Sequence, residues 1–179
     1  ASVIAADKPG PLPRSEMTIV RLITASGTAR LTGVGYAPHG RLECEASGTP
    51  GEAMLAEDIV VLSGGSLAGN AALHQGPDGR WQIQGDPTEA AFLVAERKAG
   101  LAERRRRRFA RVGEIPFTSE RKMMSTIEVD HEHGGQLVVI AKGAPDVLLG
   151  RCSRMRAGME VVDLDERSRA RILAEVDGL

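Results

Sequence analysis

Three observations predict an α+β fold, with an antiparallel sheet of about six or seven strands flanked by helices. Short β-branched segments recur along the chain, Gly- and Pro-bearing turns join them, and helical spacing is confined to a few bounded segments between them. The length of 179 residues suits one domain, and a hydrophobic fraction of 42% can supply its core.

The elements follow in order. Residues 1–16 carry Pro9, Pro11 and Pro13, which exclude regular helix or central strand, so the domain is set at 17–179. Residues 18–23 and 29–36 read as strands joined by a turn at 25–28, and 37–51 as a Gly- and Pro-rich loop. Helical spacing of Met54, Leu55, Ile59 and Leu62 predicts a helix over 52–67. Gly76-Pro77-Asp78-Gly79 marks a hairpin between 73–74 and 81–83. Asp86 at the N-cap, Pro87 in the first turn and Glu89 three residues past the cap predict a helix that Gly100 ends. Strands are then expected at 111–115, 122–129 and 136–142, and helices at 144–149 and 164–176.

Composition excludes several function classes. Lys and Arg total 23 against 24 Asp and Glu, which argues against a general nucleic-acid binder, since such a domain is basic throughout. Cys44 and Cys152 have no CxxC spacing and read as thiols in a reducing compartment. His131-Glu132-His133 offers two imidazoles without a third ligand, so it reads as a polar hairpin loop beside Gly134-Gly135 and no metal is assigned. No apolar run approaches the roughly 18 residues that span a bilayer, and no signal peptide is expected. The arginines at 104–108 could attract RNA or an acidic lipid surface, could raise the local potential for an anionic nucleotide, or could be a solvated helix end.

Three further segments could carry chemistry. Gly85-Asp86-Pro87-Thr88-Glu89 is explained by helix capping alone, with Glu89 reaching back to the cap amide. In Pro116-Phe117-Thr118-Ser119-Glu120-Arg121-Lys122, a ring beside cations suits a purine and its phosphates, and a core Phe on an amphipathic strand suits it equally. Lys142-Gly143-Ala144-Pro145 is either an anion site at a helix start or an ordinary strand-to-helix turn.

Taken together and in this order, these three segments, with Lys142-Gly143-Ala144-Pro145-Asp146 leading to Arg151-Cys152, resemble the nucleotide-binding domain of P-type cation-transporting ATPases of the calcium-pump-like type II subgroup. The resemblance implies the fold of that domain and the binding of ATP, accompanied by Mg²⁺ in the parent pump. It implies that Phe117 stacks on adenine, that Glu89 hydrogen-bonds the adenine amino edge, and that Lys142 beside Gly143 lines the purine pocket. Lys122, with Ser119 and Arg121, would lie at the ribose–phosphate side. Its partners would be the phosphorylation and actuator domains of the same parent chain, on the cytoplasmic side of a bacterial plasma membrane, with this segment itself monomeric, outside the bilayer and not bound to nucleic acid. The family's phosphorylated aspartate lies in an Asp-Lys-Thr-Gly-Thr-Leu-Thr run. Here Asp7-Lys8-Pro9-Gly10-Pro11-Leu12-Pro13 matches at Asp7, Lys8, Gly10 and Leu12, but the threonines are prolines, so residues 1–16 read as a degenerate remnant of that motif. A closing strand with a further arginine is expected beyond Leu179. The isolated chain is therefore expected to bind nucleotide without catalysing phosphoryl transfer. The alternative is a non-catalytic or regulatory relative.

Overall fold

The computed structural model describes the backbone of Val3–Asp7 and residues 16–178. The Asp7 side chain, Pro9, Pro11, Pro13 and Leu179, on which the remnant-motif and missing-strand readings turn, lie outside the described residues. Strands β1 (Val3–Asp7), β2 (Thr18–Thr24), β3 (Gly27–Leu31) and β4 (Leu42–Cys44) form an antiparallel sheet in that order. The β2–β3 register pairs Thr24 with Gly27, so the turn is two residues long, and Gly27 takes the positive φ of 134° it requires. The strand expected to run to Tyr36 stops at Leu31. Thr32 N donates to Arg41 O at 2.9 Å and closes a loop, inside which a Cβ at Gly33 would lie 2.0 Å from His39 O.

Helices α1 (Glu52–Leu67) and α2 (Pro87–Lys98) lie against this sheet. Ile19, Leu22, Ala29 and Leu31 from the strands meet Met54, Val61 and Leu62 of α1 and Ala91, Phe92 and Ala95 of α2 in the main core. Leu55, counted among the helix's apolar positions in the sequence, faces outward. Inside the core, Glu57 accepts from Ser26 N at 2.9 Å, from Ser26 Oγ at 2.8 Å and from Gly158 N, so one carboxylate ties α1 to two hairpin turns. Neighbouring Asp58 is fully buried with no hydrogen-bond partner among the described residues, and burial beside Glu57 pushes its pKa up to about 7. Lys98 at the end of α2 donates to Gly33 O at 3.0 Å and so latches the 32–41 loop; burial pulls its pKa down.

Between α1 and α2 lies the hairpin β5 (Ala72–Gln75) and β6 (Trp81–Gln84). After α2 come a short helix α3 (Ala102–Arg108), the strands β7 (Phe109–Thr118), β8 (Met123–Asp130) and β9 (Gln136–Gly143), and helix α4 (Pro145–Arg151). The hairpin β10 (Arg154–Ala157) and β11 (Glu160–Asp163) and helix α5 (Glu166–Asp177) complete the chain, with Leu149, Met155, Leu164 and Ile172 as a second small core. The α+β class and antiparallel pairing agree with the sequence. Among the described residues the strands divide into a four-stranded, a three-stranded and two two-stranded sheets rather than one continuous sheet. Among the described residues no helix is long and apolar enough to cross a membrane.

Candidate functional site

The β7–β8–β9 sheet, helices α1 and α2 and the arginines Arg104, Arg105 and Arg108 of α3 border a broad groove of about 1460 Å³. Glu89, Phe117, Lys122, Lys142 and Gly143 all line it, although they come from four separate stretches of chain. Each is placed by a local rule.

Glu89 sits in the first turn of α2. Asp86 caps that turn by accepting from Thr88 N at 2.8 Å and Glu89 N at 3.2 Å. The capping box expected from the sequence is not closed. Glu89 Oε2 instead accepts from Asn70 N at 2.8 Å, and Oε1 accepts from Lys142 Nζ at 3.3 Å. This carboxylate, which a cap would have absorbed, is aimed at the end of β9. Lys142 faces the groove because it pairs with Met124 in register, and its ammonium lies 5.7 Å from the ring centre of Phe92.

Phe117 is placed by a break in its own strand. Ile115 pairs with Ser125 and Thr118 with Met123, so Pro116 and Phe117 together oppose a single residue. Pro116 has no N–H for the ladder, which favours the bulge at this point. The ring of Phe117 is 59% exposed, whereas Phe92 is 8% exposed with Gly65 against its face. Phe117 is thus a presented ring and not a core residue.

The turn from β7 to β8 packs against the end of β9. Lys122 N donates to Thr118 O at 2.8 Å, and Lys122 alone among the described non-glycine residues has a positive φ, 52°. A Cβ at Gly143 would lie 2.4 Å from Lys122 O, so only glycine permits that contact. Ala144 N, one of the amides an anion site would have used, donates to Lys122 O at 3.0 Å. Arg121 reaches back with Nη1 to Pro116 O at 3.1 Å and with Nη2 to Ser125 Oγ at 3.3 Å, bracing the strand that carries Phe117. Ser119 is exposed in the same turn.

The arginine run forms α3 and is largely committed within the fold. Arg105 Nε donates to Glu96 at 2.7 and 2.9 Å, and the Glu96 side chain is wholly buried. Burial pushes the Glu96 pKa up, against the opposing pull of Arg105. Arg108 engages Asp130 at 2.9 and 2.6 Å, and that pairing, with His133 also on the carboxylate, holds Asp130 well below the usual carboxylate range. Arg104 pairs with Glu132 at 3.1 Å and Arg106 with Glu103. His131-Glu132-His133 is a 3₁₀ turn, and among the described residues no group of three ligands is placed to hold a metal ion.

Sequence reasoning missed Asn70, Phe92 and Arg111. Asn70 acts through its backbone, Phe92 looks like any core position, and Arg111 sits in a strand whose register the sequence does not set.

Against known proteins, residues 60–179 match the family described as P-type ATPase, cytoplasmic domain N. The chain is 40% identical over 153 residues to the probable cation-transporting ATPase F of Mycobacterium tuberculosis, covering 84% of this chain and 16% of that protein. It is 34% identical over 157 residues to a calcium-transporting ATPase of Bacillus subtilis, covering 87% of this chain and 17% of that one. It is 31% identical over 162 residues to calcium-transporting ATPase type 2C member 2 of Mus musculus, covering 88% and 16%. The chain therefore spans about one sixth of the length of these relatives.

Proposed function

The chain belongs to the P-type ATPase family, as its cytoplasmic domain N, and from that membership we propose that it binds ATP in the groove between α2 and the β7–β8–β9 sheet. In a cation-transporting parent protein it presents the γ-phosphate, with Mg²⁺, to an aspartate on a phosphorylation domain. The carboxylate oxygen attacks phosphorus, an aspartyl-phosphate forms and ADP leaves. Within this chain, Phe117 stacks on the adenine and Glu89 accepts from its amino group. Lys142, beside Gly143, lines the purine, while Lys122, with Ser119 and Arg121, lies toward the ribose and phosphates. No acceptor role is assigned to Asp7, whose neighbours include three prolines where the family places threonines.

One observation supports this reading above the others. The Glu89 carboxylate leaves its own helix cap for Lys142, on the groove that an exposed aromatic ring also lines. A hydrogen-bond acceptor, a cation and a flat apolar face are what a purine requires. The test is titration of the chain with ATP, with and without Mg²⁺, followed by amide shifts. Saturable shifts around Glu89, Phe117 and Lys142 are expected. Phe117→Ala should weaken binding by about 1–3 kcal/mol, the range for loss of base stacking. Its melting temperature should barely move, because the ring is 59% exposed. A well-folded wild-type chain that ignores millimolar ATP would sink the proposal.

A further inference from the structure

We infer that Arg111 is a positioning residue for the purine site: through the loop that ends α1, it holds the Asn70 backbone N–H against the Glu89 carboxylate. The inference rests on the reading of Glu89 as the acceptor for the adenine amino group. It assigns a role to a residue that does not itself line the groove.

The need for Arg111 begins at the end of α1. The last turn of a helix leaves carbonyls without intrahelical partners. Here the last turn holds no basic residue, and Gly69, which follows the cap residue Ala68, is not among the positive-φ glycines, so the usual left-handed glycine closure is absent. Arg111, on β7, supplies the donors instead. Its Nη2 donates to Leu67 O and, at 2.8 Å, to Gly69 O. Thr126 Oγ1 adds a second donor to Leu67 O at 3.3 Å.

The same guanidinium is fixed on its other sides. Nη1 donates to Asn70 Oδ1 at 2.6 Å and lies 3.4 Å from Glu114 Oε2. Nε donates to Glu128 Oε1 at 3.3 Å, and the Glu128 side chain is 1% exposed. All three nitrogens of a planar group are engaged, so its orientation is set, which an ammonium on a flexible stem could not reproduce.

The consequence reaches the groove through two residues. Asn70, held by its side chain to Arg111, donates its backbone N–H to Glu89 Oε2 at 2.8 Å. Gly69 packs directly on Glu89: a Cβ there would come 3.3 Å from Glu89 Cβ and 3.4 Å from its Cδ. One carboxylate oxygen is thus anchored to backbone, and the other, at 3.3 Å from Lys142 Nζ, is presented to the groove. A carboxylate accepts and does not donate, so a Glu89 held opposite position 6 of the purine accepts from the adenine 6-amino group and is repelled by the carbonyl that guanine carries at that position. Stacking and phosphate contacts are common to both bases. Loosening the anchor should therefore lower the preference for ATP over GTP more than it lowers binding in general.

The experiment compares wild type with Arg111→Met and Arg111→Lys, measuring Mg²⁺-ATP and Mg²⁺-GTP affinities and the shift and exchange rate of the Asn70 amide. Wild type is expected to prefer ATP. Arg111→Met should lose about tenfold in ATP affinity and less than about twofold in GTP affinity, the size of one hydrogen bond to a charged group. Its Asn70 amide should move upfield and exchange faster. Arg111→Lys should behave like Arg111→Met, and a Lys variant with wild-type preference overturns the inference. Equal losses for both nucleotides overturn it too, since they mark a general role in the fold. Should Arg111→Met fail to fold, the wild-type amide still decides: Asn70 is an exposed residue whose N–H is expected to be protected, with protection lost in Glu89→Ala, and an unprotected amide is the contrary result. A wild type that binds neither nucleotide removes the proposed function, while the Asn70 amide of the free chain continues to report on the clamp.

Discussion

Helix α2 carries two carboxylates about two turns apart, one paired with a cation from the next helix and the other with a cation from a distant strand, and the two pairs are built differently. Glu96 is wholly buried and takes Arg105 Nε at 2.7 and 2.9 Å, with the arginine side chain 17% exposed. Glu89 is 16% exposed and takes a single contact from Lys142 at 3.3 Å, with the lysine 22% exposed. The first pair is short and doubly bonded, and its carboxylate is closed to water, while Arg105 also edges the groove. Its two hydrogen bonds hold α3 to α2. The second is long, one-sided and open to the groove, so each partner keeps hydrogen-bonding capacity for a third body. A charge serves the fold where its partner saturates it, and serves a ligand where the partner leaves it incomplete.

The largest expected effect comes from breaking the closed pair. Arg105→Met leaves Glu96 buried without its cation, and should destabilise the chain by about 3–5 kcal/mol in urea unfolding. The double variant Arg105→Met/Glu96→Leu should recover most of that loss, because it removes the stranded charge as well. The sign of the pH dependence follows from burial. The folded pKa of Glu96 lies above its ordinary value, so its ionisation opposes folding increasingly as pH rises through that range. Losing Arg105 raises the folded pKa further, so the single variant should be least stable at alkaline pH and partly relieved in acid. Lys142→Met at the open pair should cost under about 1 kcal/mol, the range for partly exposed ion pairs. Similar losses at both positions would erase the distinction between the two pairs.

A smaller effect is expected at Asp130, which shares the α3 system but shifts in the opposite direction. Its carboxylate takes Arg108 through two nitrogens, Glu132 N at 3.1 Å and His133 Nδ1 at 2.8 Å, and its folded pKa is depressed. A depressed pKa gives stability that is present above the unfolded value, near 4, and is lost as pH falls toward the folded one. Asp130→Asn should cost about 1–3 kcal/mol near neutral pH, and the gap to wild type should shrink steadily below about pH 4. A gap that stays constant into acid would mean that the contacts act through shape and not through charge.

The same pairs show how far the sequence could be read. The α2 helix was legible because Asp86, Pro87 and Gly100 are local signals, and the structure ends the helix where they say. The role proposed for Glu89 comes only from family resemblance, since local rules assign it to a capping box that the fold leaves open for Asn70 and Lys142. Helix α3 was legible only as a solvated helix end among other readings, because a run of arginines has no apolar period, and its partners Glu96, Asp130 and Glu132 are fixed by tertiary contacts alone. Phe117 was balanced between core and pocket in the sequence. What settles its exposure is a bulge in the β7–β8 register, and register is a property of two strands that neither segment displays by itself.

The smallest expected effect tests the remainder of the arginine run. Arg106 is half exposed and pairs with Glu103, which is 71% exposed on the same short helix. Both ends of such a pair stay solvated, so their attraction is screened and offset by the cost of ordering two long side chains. Arg106→Gln, alone or with Arg107→Gln, should shift stability by no more than about 0.5 kcal/mol. The variants also separate structure from recognition. If α3 exists to hold α2 and β8, these substitutions change nothing beyond that small shift, because Arg105 and Arg108 carry the contacts to Glu96 and Asp130. If the run is a surface for RNA or anionic lipid, wild type should show an association that weakens steeply with salt, and neutralising the two outward arginines should abolish it. That second outcome would move α3 from the closed kind of charge to the open kind, and the molecule would then hold two ligand surfaces on either end of the same helix pair.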